Sequence, residues 1–321
     1  MKDTVSIVIV SFNSAGHIAR CLRSVRDAGE VVVVDNASSD ETCAVVTREA
    51  PGVKLIRNEC NSGFAAAVNQ GIAATTNPFV LLLNPDAVLK TSLQPLLDQC
   101  LSPAVGAAGG KLIDESGQAQ TGFNVRRFPT PAALLFEALL VNRVWPSNPV
   151  NRRYRCLDAD MEQLQDVDQP AGAFLMVRRD VLEQVDGLDE RFYPVWFEDV
   201  DLCLRIRGAG YGIRYVPNCV AEHTGGHSVN GVSVEERYLA WYGNLLRFNY
   251  KHFSKGIHRC LHIVLVMGLR LRWLVCLAGG GTHAERKAYA SVIKSLRGFS
   301  LRDRTFAAEI GSPSPVESKS S

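Results

Sequence analysis

An α/β fold on a mostly parallel central sheet is predicted by three observations in the first 90 residues. Short, continuous apolar runs recur; helical periodicity fills the gaps between them; and each long run stops at Asn, Asp or Ser. Residues 5–10 form the first run and end at Ser11-Phe12-Asn13-Ser14, after which Ile18, Leu22 and Val25 fall at helical spacing. Residues 31–34 are four valines ending at Asp35-Asn36, and Ser38 with Glu41 reads as a capping box for the next helix. Lys54-Leu55-Ile56 is a short strand, 64–74 an Ala-rich helix, and 78–83 a further apolar strand ending at Asn84-Pro85-Asp86. Strands without polar alternation are covered on both faces, which implies parallel pairing through helical crossovers.

Beyond residue 90 the alternation loosens. Residues 127–131 are a Pro-punctuated connection, and 132–165 read as irregular and basic, with Arg152-Arg153-Tyr154-Arg155. A strand is expected over 173–177, a helix over 180–185, a turn over 187–191, and then a helix through Trp196-Phe197-Glu198-Asp199-Val200-Asp201 that Gly208 and Gly210 stop. The expected organisation is one domain over 1–250 (halves 1–90 and 91–250), a helical basic and apolar extension over 251–310, and a disordered tail over 311–321.

The 321 residues carry a formal net charge of +2, which gives no reason to expect a nucleic-acid partner. Nine cysteines, without a C-x-x-C pair, point to reduced thiols in a cytoplasmic protein rather than a zinc ribbon or disulfide framework. The first apolar run is too short for a signal peptide, and no uninterrupted apolar stretch reaches 18 residues. Residues 256–281 are too polar to span a membrane yet apolar for a solvated tail. His258, Arg259, His262, Arg270 and Arg272 gather on one side of a helical wheel, with Leu265, Val266 and Leu269 intruding. With Arg286, Lys287, Lys294, Arg297, Arg302 and Arg304 following, the expectation is peripheral contact of 256–304 with an anionic inner leaflet; burial in a homodimer interface is the alternative.

The residues that carry chemistry sit at the strand ends and in the acidic run. Ser11, Asn13, Asp35, Asn36, Asn84 and Asp86 all follow apolar strands, the edge where open α/β sheets bind ligands. Each alone is ordinary turn chemistry. Gly63 in Asn61-Ser62-Gly63-Phe64 permits close backbone approach at a helix start suited to phosphate. Glu198, Asp199 and Asp201 are flanked by Trp196 and Phe197, acids beside aromatic rings as on sugar-binding surfaces, and Asp201 faces Arg205 at i, i+4. His223 and His227 are separated by Gly225-Gly226, which rules out the helical two-histidine zinc geometry.

Six segments together carry a resemblance: the strand from Val5 to Asn13, Asp35-Asn36-Ala37-Ser38-Ser39-Asp40, Asn61-Ser62-Gly63-Phe64-Ala65, Asn69-Gln70-Gly71, Asn84-Pro85-Asp86-Ala87 and Glu198-Asp199-Val200-Asp201-Leu202. In this order, over residues 4 to about 250, the chain resembles family 2 glycosyltransferases, and among them bacterial rhamnosyltransferases. The resemblance implies a GT-A (nucleotide-diphospho-sugar transferase) fold, Mg²⁺ or Mn²⁺, and inversion at the anomeric carbon. It assigns Ser11, Phe12, Asn13, Asp35, Asn61, Gly63, Asn84 and Asp86 to the nucleotide-sugar, and Gly172, Trp196 and Glu198 to the acceptor. Asp199 becomes the general base, and Asp86 with His223 the metal ligands. Asn84 departs from the pattern, standing where the family's D-x-D motif has its first acid.

The implied reaction moves L-rhamnose from dTDP-rhamnose to a cell-surface polysaccharide or lipid-linked glycan, in the cytoplasm or at the inner face of the membrane. A sugar nucleotidylyltransferase is the enzymatic alternative, but its Gly-rich basic loop is replaced by Ser11-Phe12-Asn13-Ser14; a dehydrogenase lacks its G-x-G-x-x-G. An inactive nucleotide-sugar-binding subunit is the non-enzymatic alternative, and the presence of Asp86 and Asp199 argues against it.

Overall fold

The computed structural model describes residues 4–225 and 232–297. The N-terminal part alternates as its apolar periods dictate: β1 (Val5–Ser11), α1 (Ile18–Val25), β2 (Glu30–Asp35), α2 (Thr42–Glu49), β3 (Lys54–Arg57), α3 (Phe64–Ala73) and β4 (Phe79–Leu83). Strand β1 is buried along its whole length, as is β4, because helices cover both faces of the sheet. Helix α1 turns Ile18, Cys21, Leu22 and Val25 inward, the i, i+3, i+4, i+7 stripe of an amphipathic helix.

The middle part adds β5 (Ala87–Leu89), α4 (Gln94–Cys100), β6 (Val105–Ile113), β7 (Val125–Arg126), α5 (Pro131–Ala138), α6 (Val141–Val144) and α7 (Pro149–Tyr154). There follow β8 (Gln165–Asp166), β9 (Gln169–Pro170), β10 (Phe174–Arg178), α8 (Arg179–Gln184), α9 (Glu198–Gly208) and β11 (Gly212–His223). Three long helices close the described chain: α10 (Val234–His252), α11 (Lys255–Leu277) and α12 (His283–Arg297).

The main sheet has nine strands in the order β3-β2-β1-β4-β10-β6-β11-β5, with β8 on β11. Strands β3, β2, β1 and β4 pair in parallel, as do β6 and β11, whereas β10 lies antiparallel between β4 and β6. The start of β10 therefore meets the carboxyl ends of β1 and β4 at one edge. There Asn84 donates its backbone N–H to the carbonyl of Ala173 at 3.0 Å.

Three expectations are corrected. Ser38 and Glu41 form no capping box: α2 begins at Thr42 without a side-chain cap from Glu41, and the Ser38 hydroxyl instead donates to Asp35. Residues 132–165 are not irregular throughout. Thr130 caps α5 and Asn148 caps α7, each followed by a proline at the first helical position, where the missing N–H costs nothing. In α11, finally, the polar groups do not share an exposed side: His258 and Arg272 are buried, as are Leu265 and Leu269, while Arg259 and Arg270 are exposed. By length and composition α11 is apolar enough to cross a membrane, with a mean hydropathy of 1.8 over its most apolar window.

The C-terminal helices share one apolar cluster with the segment that leads into α9. Phe192, Phe197 and Val200 pack with Leu245 and Phe248 of α10, Leu261 and Leu265 of α11, and Tyr289 and Val292 of α12. The cluster thus runs across residue 250. Residues 298–321, which include Arg302, Arg304 and the expected tail, and His227, lie outside the described residues.

Candidate active site

A cavity of about 300 Å³ opens at the carboxyl edge of the sheet. Its walls bring together Phe12, Asn61, Asn84 and Asp86 with Gly172, Trp196, Glu198, Asp199 and His223, residues from segments far apart in sequence. Ser11, Asn13, Asp35 and Gly63 stand behind those walls. Asp35 is 2% exposed, and its oxygens are taken by Ser11 Oγ (2.9 Å), Ser38 Oγ (2.6 Å) and the Ser38 N–H (3.0 Å). Asn13 is exposed, and its side-chain oxygen accepts from the Ser39 N–H. Gly63 takes φ +87°, and a Cβ there would come within 2.8 Å of the Tyr193 ring, so a side chain is excluded by both conformation and space. Its N–H donates to Asn61 Oδ1 at 2.9 Å, which fixes Asn61 at the wall.

The sheet register places Asp86 against His223. Strand β5 starts one residue after Asp86 and pairs Ala87 with His223 at the end of β11. The Gln120 amide donates to the His223 carbonyl at 2.6 Å, so its oxygen accepts from His223 Nδ1–H at 3.1 Å. That leaves Nε2 with its lone pair, 3.5 Å from Asp86 Oδ1 and 3.4 Å from Asn84 Nδ2. Burial holds the imidazole pKa down despite the opposing charge of Asp86, so the ring is neutral at pH 7. The ring of Phe123 stacks on it at 5.3 Å, and the Gly225 N–H holds Asp86 Oδ2 at 2.9 Å.

A carboxylate oxygen and an imidazole lone pair this close are two donors that one divalent cation can bridge. The residues present therefore fit a divalent metal. No group of three or more His, Cys, Asp and Glu ligands occurs among the described residues. Phosphate oxygens and water would have to complete the shell, as Mg²⁺ and Mn²⁺ sites commonly arrange.

On the acidic run the three carboxyls have three different surroundings. Asp199 is half-buried; Oδ2 accepts from Gln169 Nε2 at 3.1 Å and the Gly172 N–H at 3.4 Å, and Oδ1 from the Val200 N–H at 2.8 Å. Glu198 is 5% exposed and its Oε2 has no hydrogen-bond partner among the described residues. Burial first, and then the charge of Asp199, push its pKa well above the ordinary carboxylate range. Asp201 is fully buried beneath the site and binds Arg205 Nε (2.7 Å), Lys251 Nζ (2.6 Å) and His252 Nε2 (2.7 Å). With its pKa raised, Glu198 is equipped to act at the cavity as a neutral hydrogen-bond donor.

The backbone before these acids is strained. Trp196 and Phe197 have φ of +83° and +74°, a region worth roughly 1–3 kcal/mol of strain per bulky residue. Trp241 of α10 holds both rings, edge-on to Trp196 at 5.6 Å and tilted to Phe197 at 5.2 Å. Packing in the C-terminal cluster offsets that strain and aims Glu198 and Asp199 at the cavity.

Two expected results test this arrangement. A Cβ on Gly172 would lie 2.9 Å from Asp199 Cβ and 3.2 Å from Oδ2. Gly172→Ala should therefore displace the carboxylate and slow any reaction that depends on it by about 10²-fold, the cost of an ångström-scale misplacement. For Glu198 the folded-state pKa is raised, so the native state holds the extra proton. The stability this gives is complete below the unfolded carboxyl pKa and is lost as pH rises towards the folded one. Glu198→Gln, neutral at every pH, should thus show a Tm advantage over the wild type that grows between about pH 4 and pH 8. A constant difference across that range would refute the buried, protonated acid.

Sequence reasoning missed Phe123 on the wall, and Gln120 and Gln169, which hold wall residues in place. All three are unremarkable in sequence and acquire roles only by tertiary contact. Glu236, Arg237 and Ala240 of α10 also line the cavity. Their signal was legible: Ser233 and Glu236 form a complete capping box, which fixes the helix start beside the site.

The glycosyl transferase family 2 model matches residues 6–186. An N-acetylglucosaminyl-diphospho-decaprenol L-rhamnosyltransferase of Mycobacterium tuberculosis is 31% identical over 249 residues, covering 71% of this chain and 78% of that protein. A rhamnosyltransferase of Escherichia coli K12 is 25% identical over 233 residues, 70% of this chain and 84% of that one. Among solved structures, a Pyrobaculum calidifontis mannosyltransferase in complex with GDP-Man and Mn²⁺ superposes with a TM-score of 0.53 at 18% identity, covering 96% of this chain and 87% of its own. The fold is thus the GT-A fold, with helices added at the C-terminus. The sheet, the ligand edge and the family match agree: the chain is a glycosyltransferase and belongs to glycosyl transferase family 2.

Proposed function

We propose that the protein transfers L-rhamnose from dTDP-rhamnose, with inversion, to a lipid-linked glycan acceptor of a bacterial cell surface, with Asp199 as general base. The observation that carries this reading is the Asp199 carboxylate, anchored by Gln169 and Gly172 on the wall of the cavity that also holds Asp86 and His223. The names of the two rhamnosyltransferase relatives support the choice of sugar, and the decaprenol of one supports a lipid-linked acceptor.

In the proposed step an acceptor hydroxyl oxygen attacks the anomeric carbon and its proton passes to Asp199. The bond from that carbon to the diphosphate breaks on the opposite face, so the configuration inverts. Glu198, protonated, donates a hydrogen bond that orients the acceptor, and Trp196 offers its ring to a sugar face. Asp86 and His223 would hold the divalent cation, which when bound neutralises charge gathering on the departing diphosphate. Positioning in the cavity must contribute alongside the base, whose own share is about 10²–10⁴-fold.

The test is a panel of activated sugars with purified protein and Mg²⁺ or Mn²⁺, monitored for nucleoside diphosphate. Release of dTDP from dTDP-rhamnose, dependent on a lipid-linked acceptor, is the expected result. Turnover with another donor alone would refute the sugar, and pyrophosphate release would favour the nucleotidylyltransferase. Asp86→Ala should weaken donor binding by at least about tenfold when Mn²⁺ is present and little when it is absent, as expected for a carboxylate that acts through the cation.

A further inference from the structure

Helix α11 is apolar on two faces. Its inner face, with Leu261, Leu265 and Leu269, is committed to the C-terminal cluster. Its outer face carries Ile263, Met267, Leu271 and Leu274 at three- and four-residue spacing, each about half exposed at 56%, 57%, 46% and 54%. Arg272 reaches across from α11 to the carbonyls of Ala138 (2.8 Å) and Glu137 (2.5 Å), which brings the end of α5 against the helix. Just beyond that joint, Leu139, Val144 and Trp145 are exposed at 42%, 86% and 54%. Scattered single apolar residues are normal on a surface, but a stripe continued by a second element marks a contact face.

The charge carried by α11 itself has one sign. No aspartate or glutamate occurs between Arg237 and Ala284, whereas Lys255, Arg259 and Arg270 do. Arg259 and Arg270 are exposed on α11, and Arg143 is exposed on α6. We propose that this face docks flat on an anionic lipid bilayer, with the α11 stripe and Trp145 in the headgroup boundary and the arginines on lipid phosphates. A tryptophan at the rim of an apolar face suits that boundary, where one part of the ring is buried and the N–H stays wet. A second copy of the chain fits worse. A twofold contact sets the same surface against itself, so Arg259 and Arg270 would meet arginines with no carboxylate on α11 to receive them. A spanning arrangement fits worse too, because it would strip Arg272 and the inner leucines from their protein partners. The inference rests on this surface pattern alone and stands or falls apart from the sugar-transfer reading.

The experiment is flotation of the full chain with phosphatidylcholine vesicles, with and without phosphatidylglycerol, together with light scattering in the absence of vesicles. Binding is expected only with phosphatidylglycerol, and should weaken as salt rises. Arg259→Glu with Arg270→Glu should lower the partition coefficient by about fivefold or more per site, and Met267→Ser with Leu274→Ser by at least about tenfold. All four positions are solvent-exposed, so Tm should stay at wild-type level. Binding indifferent to anionic lipid would overturn the proposal. So would a dimer that Met267→Ser with Leu274→Ser dissociates while the wild type ignores vesicles, or chain in native membranes that resists extraction by high salt and alkaline carbonate.

Discussion

Asp199→Asn should lower kcat by about 10²–10⁴-fold while donor affinity and Tm remain those of the wild type. Asparagine matches the shape of the carboxylate and keeps an oxygen for Gln169 Nε2 and the Gly172 N–H, giving up only the hydrogen bond from the Val200 N–H. What it loses is the lone pair that takes the acceptor proton in the proposed step. Single-turnover rates with saturating donor, beside calorimetric binding of dTDP, separate these quantities. Loss of nucleotide binding equal to the loss of rate would assign Asp199 to the donor instead.

Asp201→Asn, two residues along the same helix, should give the opposite result: a stability loss of about 3 kcal/mol, the low end of the range for breaking a buried charge cluster. The low end applies because Lys251 keeps Asp189 at 2.7 Å, and Arg205 keeps the Gly187 carbonyl at 2.8 Å and that of Val185. For a chain of 321 residues that corresponds to a Tm drop of roughly 4–5 °C. Burial alone would raise the Asp201 pKa; the hydrogen bonds from His252 and Lys251 and the charge of Arg205 outweigh it and hold the pKa below the ordinary value. A depressed folded-state pKa contributes stability that is complete above the unfolded carboxylate range and lost as pH falls through the folded value. The gap between wild type and variant should therefore shrink in acid, which thermal scans across pH would show. A gap independent of pH would mean that asparagine disturbs packing rather than charge.

The sequence was most legible where one physical cause acted alone. Strands β1, β2 and β4 are buried on both faces, so their valines, isoleucines and leucines run on without a break. Strand β6 lies as centrally but reads Val-Gly-Ala-Ala-Gly-Gly-Lys-Leu-Ile. Its glycines are required by neighbours: a Cβ on Gly109 would strike Pro170, and one on Gly110 the ring of Phe174. Close packing thus erased the β-branched signal that marks a strand. Strand β11 is interrupted instead by a register shift between Val216 and Val220.

In the site, the acids stood out because charge among aromatic residues is unusual. Their separate duties did not, since Gln169, Lys251 and His252 reach them from distant elements. Asp35 shows the converse. Its place at a strand end suggested a ligand contact, and the structure finds both its oxygens engaged by Ser11 and Ser38.

The short stretch from Tyr193 to Phe197 ties three parts of the molecule together. Its Pro194 carbonyl receives the Phe64 N–H at 2.7 Å, and the Tyr193 hydroxyl donates to the Asn61 carbonyl at 3.2 Å. Asn244 of α10 donates to the carbonyls of Tyr193 and Val195 at 3.0 and 2.9 Å, and Trp241 carries the two aromatic rings. Recombination between relatives should respect that knot. A chimera joined at the end of the family-matched segment, near residue 186, would inherit a foreign Asn244 and Trp241 beneath a native Asn61. Exchange of acceptor preference by grafting would thus work only when residues 193–252 travel as one cassette, together with the loop that contains Asn61.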